Sequence, residues 1–310
     1  MIFANNIFFF FNNEVFMKKF NLTASLMLLV FALFLASCSD NTTNPVDSKP
    51  AAVKGLMATS LDNTTIRLLW TEPTDTYTGF TLDITPGAIA QKTFAKGVTT
   101  TDVSGLIEGT VYTFKLKAVN GTASSDSVTI LWSPATRFTK NINDDFIKVY
   151  ETASTFGSGL QFYNVAGNAP KVLKISNGAD WNFGLYSKSA GTTFVGSPSK
   201  LTYSYTGGTP KLTEISTDYF ETNDLNTVFD SQALNADPSK FSEMSIDLET
   251  LGATTGVVLI CRTKDNGTDW NYAKVFIKKT GGTFLQGTAD NRYIEVQVSY
   301  QKVVNVPYAK

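Results

Sequence analysis

The residues best suited to chemistry occur in a repeated order. Asn177-Gly178-Ala179-Asp180-Trp181-Asn182-Phe183 recurs as Asn266-Gly267-Thr268-Asp269-Trp270-Asn271-Tyr272. Each copy sets a carboxylate beside an indole. Trp181 and Trp270 could together form an aromatic platform for sugar rings. Asp180 and Asp269, with nearby carbonyls, could instead hold Ca²⁺. The same order also has a structural reading. Asn-Gly turns the chain, and Trp-x-aromatic then opens an alternating strand whose tryptophan seals a core. On that reading the two copies are equivalent hairpin starts.

The chain has no histidine. That removes the commonest general base, the commonest metal ligand and every Ser-His or Cys-His nucleophile. A glycosidase needs only two carboxylates. Asp180, Asp269, Glu214 and Glu295 qualify by type, but no spacing selects a pair, and no Ser-Lys signature is present. The two cysteines are Cys38 and Cys261. Cys261 ends the apolar run Val257-Val258-Leu259-Ile260-Cys261, where a thiol is ordinarily inert core. The chain is read as non-enzymatic, with no catalytic residue, metal site or cofactor expected.

Composition bounds the rest. The 310 residues carry a net charge of -1, with 43% hydrophobic and 17% charged residues. A packed core is expected, one or two domains fit the length, and no basic cluster invites nucleic acid. The 23 Phe and 12 Tyr, with many Thr, Val and Ile, are strand formers.

The N-terminus reads as an address. Met17-Lys18-Lys19 is a basic start, Leu26–Leu35 an apolar run, and Leu35-Ala36-Ser37-Cys38 a small-residue ending. These are the parts of a signal peptide over 17–37. The run is shorter than the ~20 residues of a spanning helix. Residues 1–16 place a second apolar block ahead of the basic one, so they are read as a gene-start artefact with translation from Met17. Residues 38–50 are polar and Pro-bearing, a flexible tether.

Leu35-Ala36-Ser37-Cys38 resembles the bacterial lipobox. The resemblance implies that Cys38 is lipidated (palmitate among its acyl chains), becomes the new N-terminus and ties the protein to a membrane. Ser39, rather than Asp, directly after the cysteine implies the outer membrane, on its periplasmic face or at the cell surface. Ser39-Asp40 resembles the opening of the acidic export patch of some Bacteroidetes lipoproteins, and Asn41-Thr42-Thr43 does not continue it.

Residues 51–135 alternate in short strands. Ile66, Leu68 and Trp70 share one face, Gly79–Ile84 alternates again, and so does Tyr112–Val119, with turn clusters between. The segment resembles a fibronectin type III domain. Trp70 stands where that family keeps its core tryptophan. Leu106–Phe114 is similar to its tyrosine corner, with the Tyr112 hydroxyl expected to bond to backbone a few residues upstream. Such a domain implies either a binding module or a rigid spacer.

Pro134 should end the last strand of that domain. Residues 136–310 are again strand-rich, with strands expected at Ile147–Tyr150, Val172–Ile175, Lys200–Tyr205, Gly256–Arg262, Tyr272–Lys278 and Arg292–Gln301. Helical turns are expected only within Tyr219–Phe229 and Asp237–Met244. The expected fold is all-β: a fibronectin type III sandwich followed by a second antiparallel β-sandwich or jelly roll. The second domain resembles the HmuY-like haem-binding lipoproteins through Asp180–Phe183, Arg262-Thr263, Asn271–Val275 and Val298–Gln301. That resemblance implies a surface lipoprotein fold. Haem in that family needs paired His or Met ligands, and downstream of Cys38 this chain has only Met57 and Met244, in different domains. The expected function is binding of a glycan or surface protein outside the cytoplasm, through Trp181, Trp270, Asp180 and Asp269. The alternative is capture of a small haem-like or metal ligand.

Overall fold

Alternation writes the first sandwich. The computed structural model describes residues 47–138, 146–187, 192–229 and 237–306. Residues 1–16, the signal peptide and Cys38 lie outside this range. Strands β1 (Lys54–Ser60), β2 (Ile66–Thr71), β3 (Gly79–Thr85), β4 (Lys92–Ala95), β5 (Thr100–Val103), β6 (Tyr112–Asn120), β7 (Ala123–Ser124) and β8 (Val128–Trp132) follow in order. They form two antiparallel sheets, β1-β2-β5 and β4-β3-β6-β7, with β8 also on β6. The inward set is the one alternation selects: Ile66, Leu68 and Trp70 face Phe80, Leu82, Ile84, Tyr112, Phe114 and Leu116. Trp70 meets Phe80 edge-on at 5.6 Å. The Tyr112 hydroxyl accepts from Ile107 N at 3.1 Å, closing the corner that the sequence calls for.

The second sandwich contains β9 (Thr136–Phe138), β10 (Ile147–Tyr150), β11 (Gly159–Asn164), β12 (Ala169–Leu173), β13 (Phe183–Tyr186), β14 (Phe194–Gly196), β15 (Thr213–Glu221), β16 (Phe241–Ser242), β17 (Ser245–Asp247), β18 (Val257–Thr263), β19 (Asn271–Ile277) and β20 (Tyr293–Tyr300). One sheet runs β10-β20-β19-β18-β15-β16, with β9 also on β20; the other runs β12-β11-β13-β14-β17. The core between them takes Leu160, Phe162, Phe183, Leu185 and Val195 from the smaller sheet. From the larger it takes Leu259, Cys261, Ala273, Val275, Val296 and Val298.

Strands β18 and β19 are apolar without alternation because both of their faces are covered. Val257, Leu259 and Cys261, opposite Ile277, Val275 and Ala273, face the core. Val258, Ile260 and Phe276 face a second cluster with Leu225, Val228 and Phe241. Cys261 is fully buried, and burial pushes its thiol well above the ordinary range, as suits inert core.

Ser48–Lys310 forms one compact unit, and a polar seam joins its two sandwiches. The buried Lys274 ammonium donates to Val228 O at 3.1 Å and to Thr59 Oγ1 at 3.4 Å, and lies 5.2 Å from the Trp132 ring. Gln301 Nε2 donates to Pro134 O at 2.9 Å. Glu108, in the corner loop, accepts from Thr136 N and Oγ1 at 2.8 and 2.6 Å.

Two expectations are corrected. Lys200–Tyr205 is not a strand: it leaves a 3₁₀ turn at Pro198–Lys200 and runs irregularly, so that Tyr203 and Tyr205 reach Trp181. Tyr219–Glu221 is the end of β15, paired with Leu259–Val257, and only Leu225–Thr227 of the expected helical stretch turns. A 3₁₀ turn at Pro238–Lys240 lies within the other expected stretch.

Candidate functional site

The two copies of the repeat lie in opposite sheets. Ile175–Asp180 is a 3₁₀ turn leading to β13, whereas Asn266–Asp269 is the turn between β18 and β19. Trp181 is fully buried. Its Nε1 donates to Lys174 O at 3.1 Å, and Tyr203 and Tyr205 meet its ring edge-on at 5.3 and 5.2 Å. Trp270 is half-buried, with the Arg262 guanidinium 4.5 Å and the Lys264 ammonium 4.9 Å from its ring centre. The expected Trp181–Trp270 platform is therefore not assembled: one indole is core, and the other is a partly covered surface group on the far sheet. Asp180 is exposed. Asp269 is tied into its own turn, accepting from Asn305 Nδ2 at 2.8 Å, Thr268 Oγ1 at 3.0 Å and Asn266 Nδ2 at 3.2 Å. Those bonds hold its carboxyl below the usual carboxylate range. Among the described residues no three His, Cys, Asp or Glu side chains come together as a metal site.

Asn182 ties the first copy to the end of β18, just ahead of the second. This fully buried amide accepts from Phe162 N at 2.8 Å and donates to Thr263 Oγ1 at 2.9 Å and Asp265 Oδ1 at 2.6 Å. It thereby bridges the two sheets. Its counterpart Asn271 donates to Gln301 O at 3.1 Å and Lys302 O at 3.2 Å, fastening the chain after β20.

These bonds shape a trough at one end of the second sandwich. Four segments meet there: the end of β11, the connection into β15, the β18–β19 turn and the chain after β20. A hollow of about 490 Å³ is lined by Tyr163, Asn164, Asp265, Asn271 and Lys302, among others. A second, of about 440 Å³, shares Lys211, Asp265 and Asn266 with it and adds Lys264. Asp265 is held from behind: Asn182 donates to one carboxylate oxygen and the Tyr300 hydroxyl to the other. Lys211 Nζ donates to Asp265 O at 2.8 Å. Tyr163, half-exposed, stacks on Tyr300 at 5.7 Å and 19°, with the Lys302 ammonium 5.3 Å from its ring centre. Planar amides, a tyrosine and ammonium groups in an open polar trough can bind hydroxyl-rich or anionic ligands.

Of the lining residues, the sequence repeat contains Asn266, Gly267 and Asn271, whereas Asp269 and Trp270, the candidates named from it, lie beside the hollows and not in their lining. Sequence reasoning missed Tyr163, Lys211, Asp265 and Lys302, which come from separate segments and carry no local motif.

A smaller hollow of about 300 Å³ lies between edge strands β10 and β12, with Tyr150, Phe156 and Lys148 in its wall. Met57, in β1, and Met244, packed against the second core, belong to different sandwiches.

No curated protein matches the chain. Among solved structures, the fibronectin type III domain of the human collagen alpha-1(XX) chain is similar at 17% identity and a TM-score of 0.27, covering 31% of this chain and 94% of that one. A two-domain fibronectin type III segment from chicken tenascin is similar at 15% identity and a TM-score of 0.26, covering 74% and 99%. Domains d3–d4 of the rat CD45 extracellular region give 21% identity and 0.26, covering 28% and 51%. The family description that matches is the fibronectin type III domain, over residues 51–130. With its two sheets, core tryptophan and tyrosine corner, that segment of the chain is a fibronectin type III domain.

Proposed function

We propose that this chain is an exported, lipid-anchored, non-catalytic protein that binds a glycan in the trough of its second sandwich. The observation that carries the reading is the trough itself. Its central carboxylate, Asp265, is held by bonds from the buried Asn182 and Tyr300, so little order is lost there when a ligand arrives. The first sandwich buttresses the trough through Glu108, whose carboxylate lies 3.5 Å from Lys302. The anchor rests on Leu35-Ala36-Ser37-Cys38 and the location on Ser39.

Two experiments test this. A panel of immobilised polysaccharides, probed with the full chain in detergent, should yield binding that Tyr163→Ala weakens at least tenfold while the variant stays folded, its thermal midpoint lowered by the packing lost against Tyr300 and Phe138. Binding to none of the panel contradicts the ligand. Cys38→Ala should move the protein into the soluble fraction; a variant that stays with membranes contradicts the anchor.

A further inference from the structure

The trough's donors and acceptors are unequally committed. Its acidic groups are already engaged. Asp265, the carboxylate lining both hollows, receives Asn182 and Tyr300 on its two oxygens, and Asp269, in the adjoining turn but not in the lining, receives Asn305, Thr268 and Asn266. Of its cations, Lys302 has Glu108 at 3.5 Å, but the other two have no such partner. Among the described residues, neither Lys211 nor Lys264 has a carboxylate within 4.0 Å. Lys211 spends one N–H on a backbone carbonyl, and Lys264 rests against the Trp270 ring. An ammonium carries three donors and no acceptor. The two therefore leave several N–H groups and two positive charges in the trough, Lys211 shared by both hollows and Lys264 in the second. The Gln161 amide nitrogen adds another uncommitted donor, its carbonyl being taken by Asn164 at 3.0 Å.

A neutral sugar hydroxyl donates as well as accepts, and it would find few open acceptors here. A carboxylate or sulfate only accepts, and it carries the charge the lysines lack. We propose that the trough takes an acidic polysaccharide, whose carboxylate or sulfate groups meet Lys211 and Lys264 while its sugar rings lie along Tyr163 and the Asn266 turn. This rests on the glycan reading and narrows its ligand class. Two adjoining hollows that share Lys211, Asp265 and Asn266 suit a chain-like ligand with charge at intervals.

The test uses the full chain in detergent with four probes: polygalacturonate, heparin, dextran and poly-L-glutamate. Polygalacturonate or heparin should bind at least tenfold more tightly than dextran, and tight binding of polygalacturonate, which carries no sulfate, shows that a carboxylate suffices. That binding should weaken about tenfold between 0.05 and 0.5 M salt, because the contacts are partly exposed and screened. Lys211→Gln with Lys264→Gln should cost about tenfold with an unchanged thermal midpoint, and Lys211→Arg should retain binding. Equal binding of dextran, without salt dependence, overturns the acidic ligand and leaves glycan binding standing. Equal binding of poly-L-glutamate points to acidic proteins and overturns both. Binding to no polysaccharide overturns both as well.

Discussion

Asn177–Phe183 and Asn266–Tyr272 share a residue order and serve opposite ends. In the first copy the tryptophan goes inward under two tyrosines, and its asparagine braces the interior. In the second the tryptophan stays at the surface between two cations, and the turn before it lines the trough. Their glycines differ too. Gly267 needs its positive φ of 81° in the β18–β19 turn. Gly178 has no positive φ; it is glycine because a Cβ there would lie 2.6 Å from Tyr205. A short motif therefore fixes neither the turn conformation nor the burial of its tryptophan; the sheet that receives it decides both.

The contrast should appear first in stability. Trp181→Ala removes a fully buried indole and should cost about 3–5 kcal/mol. Trp270→Ala loses partial packing and two cation–π contacts and should cost about 1–2 kcal/mol. Urea denaturation of the whole chain, followed by near-UV circular dichroism, measures both. Equal midpoints would break the distinction between the copies.

Asn182→Ala should come next, at about 1–3 kcal/mol, because it leaves Phe162 N buried without its acceptor. It should also weaken polysaccharide binding, since Asp265 loses a brace. A variant with normal stability would remove Asn182 from the role of inter-sheet bridge.

The glycines sharpen the comparison further. Asn tolerates the left-handed region. Gly267→Asn should therefore be nearly neutral, within about 0.5 kcal/mol. Gly178→Asn should cost about 1–3 kcal/mol through overpacking against Tyr205. The reverse order in thermal melts would show that the two turns have been misassigned.

The smallest effects lie at opposite ends of the pH scale. Burial, and then the neighbouring Tyr203 phenol, push Tyr205 well above the ordinary phenol range. Its folded form holds the proton more tightly than the unfolded chain does. The resulting stability is complete below pH about 10 and is lost as pH rises beyond it. Tyr205→Phe should lose a hydrogen bond to Pro198 O at neutral pH and flatten the alkaline decline. Asp269 has the opposite sign: its depressed pKa supports the turn above the usual carboxylate range and is lost as pH falls. Acid should thus loosen the Asn266 turn before the Trp181 cluster, as amide exchange would record.

Much of the fold was legible because alternation carries it. Ile66, Leu68 and Trp70 face inward as their spacing requires, and Tyr112 closes its corner. Ile147–Tyr150 is β10, residue for residue. Legibility fails where tertiary contact overrides local pattern. Leu201-Thr202-Tyr203-Ser204-Tyr205 alternates like a strand, yet covering Trp181 outweighs a sheet partner for it. The repeat marked the Asn266 turn, but equivalence of the copies depended on which sheet each joins. The trough was not legible because Tyr163, Lys211, Asp265 and Lys302 meet only where the end of β11 in the smaller sheet faces the ends of β15, β18 and β20 in the larger one, which no local window contains.

Hydrogen–deuterium exchange of the full chain, with and without a saturating bound polysaccharide, tests most directly whether the second copy and its trough are the binding site. Protection should appear at 161–166, 210–212, 264–271 and 300–304, and be absent at 177–183. Protection confined to 147–156 and 169–172, the smaller hollow between the edge strands, or to the Trp181 copy, would contradict it.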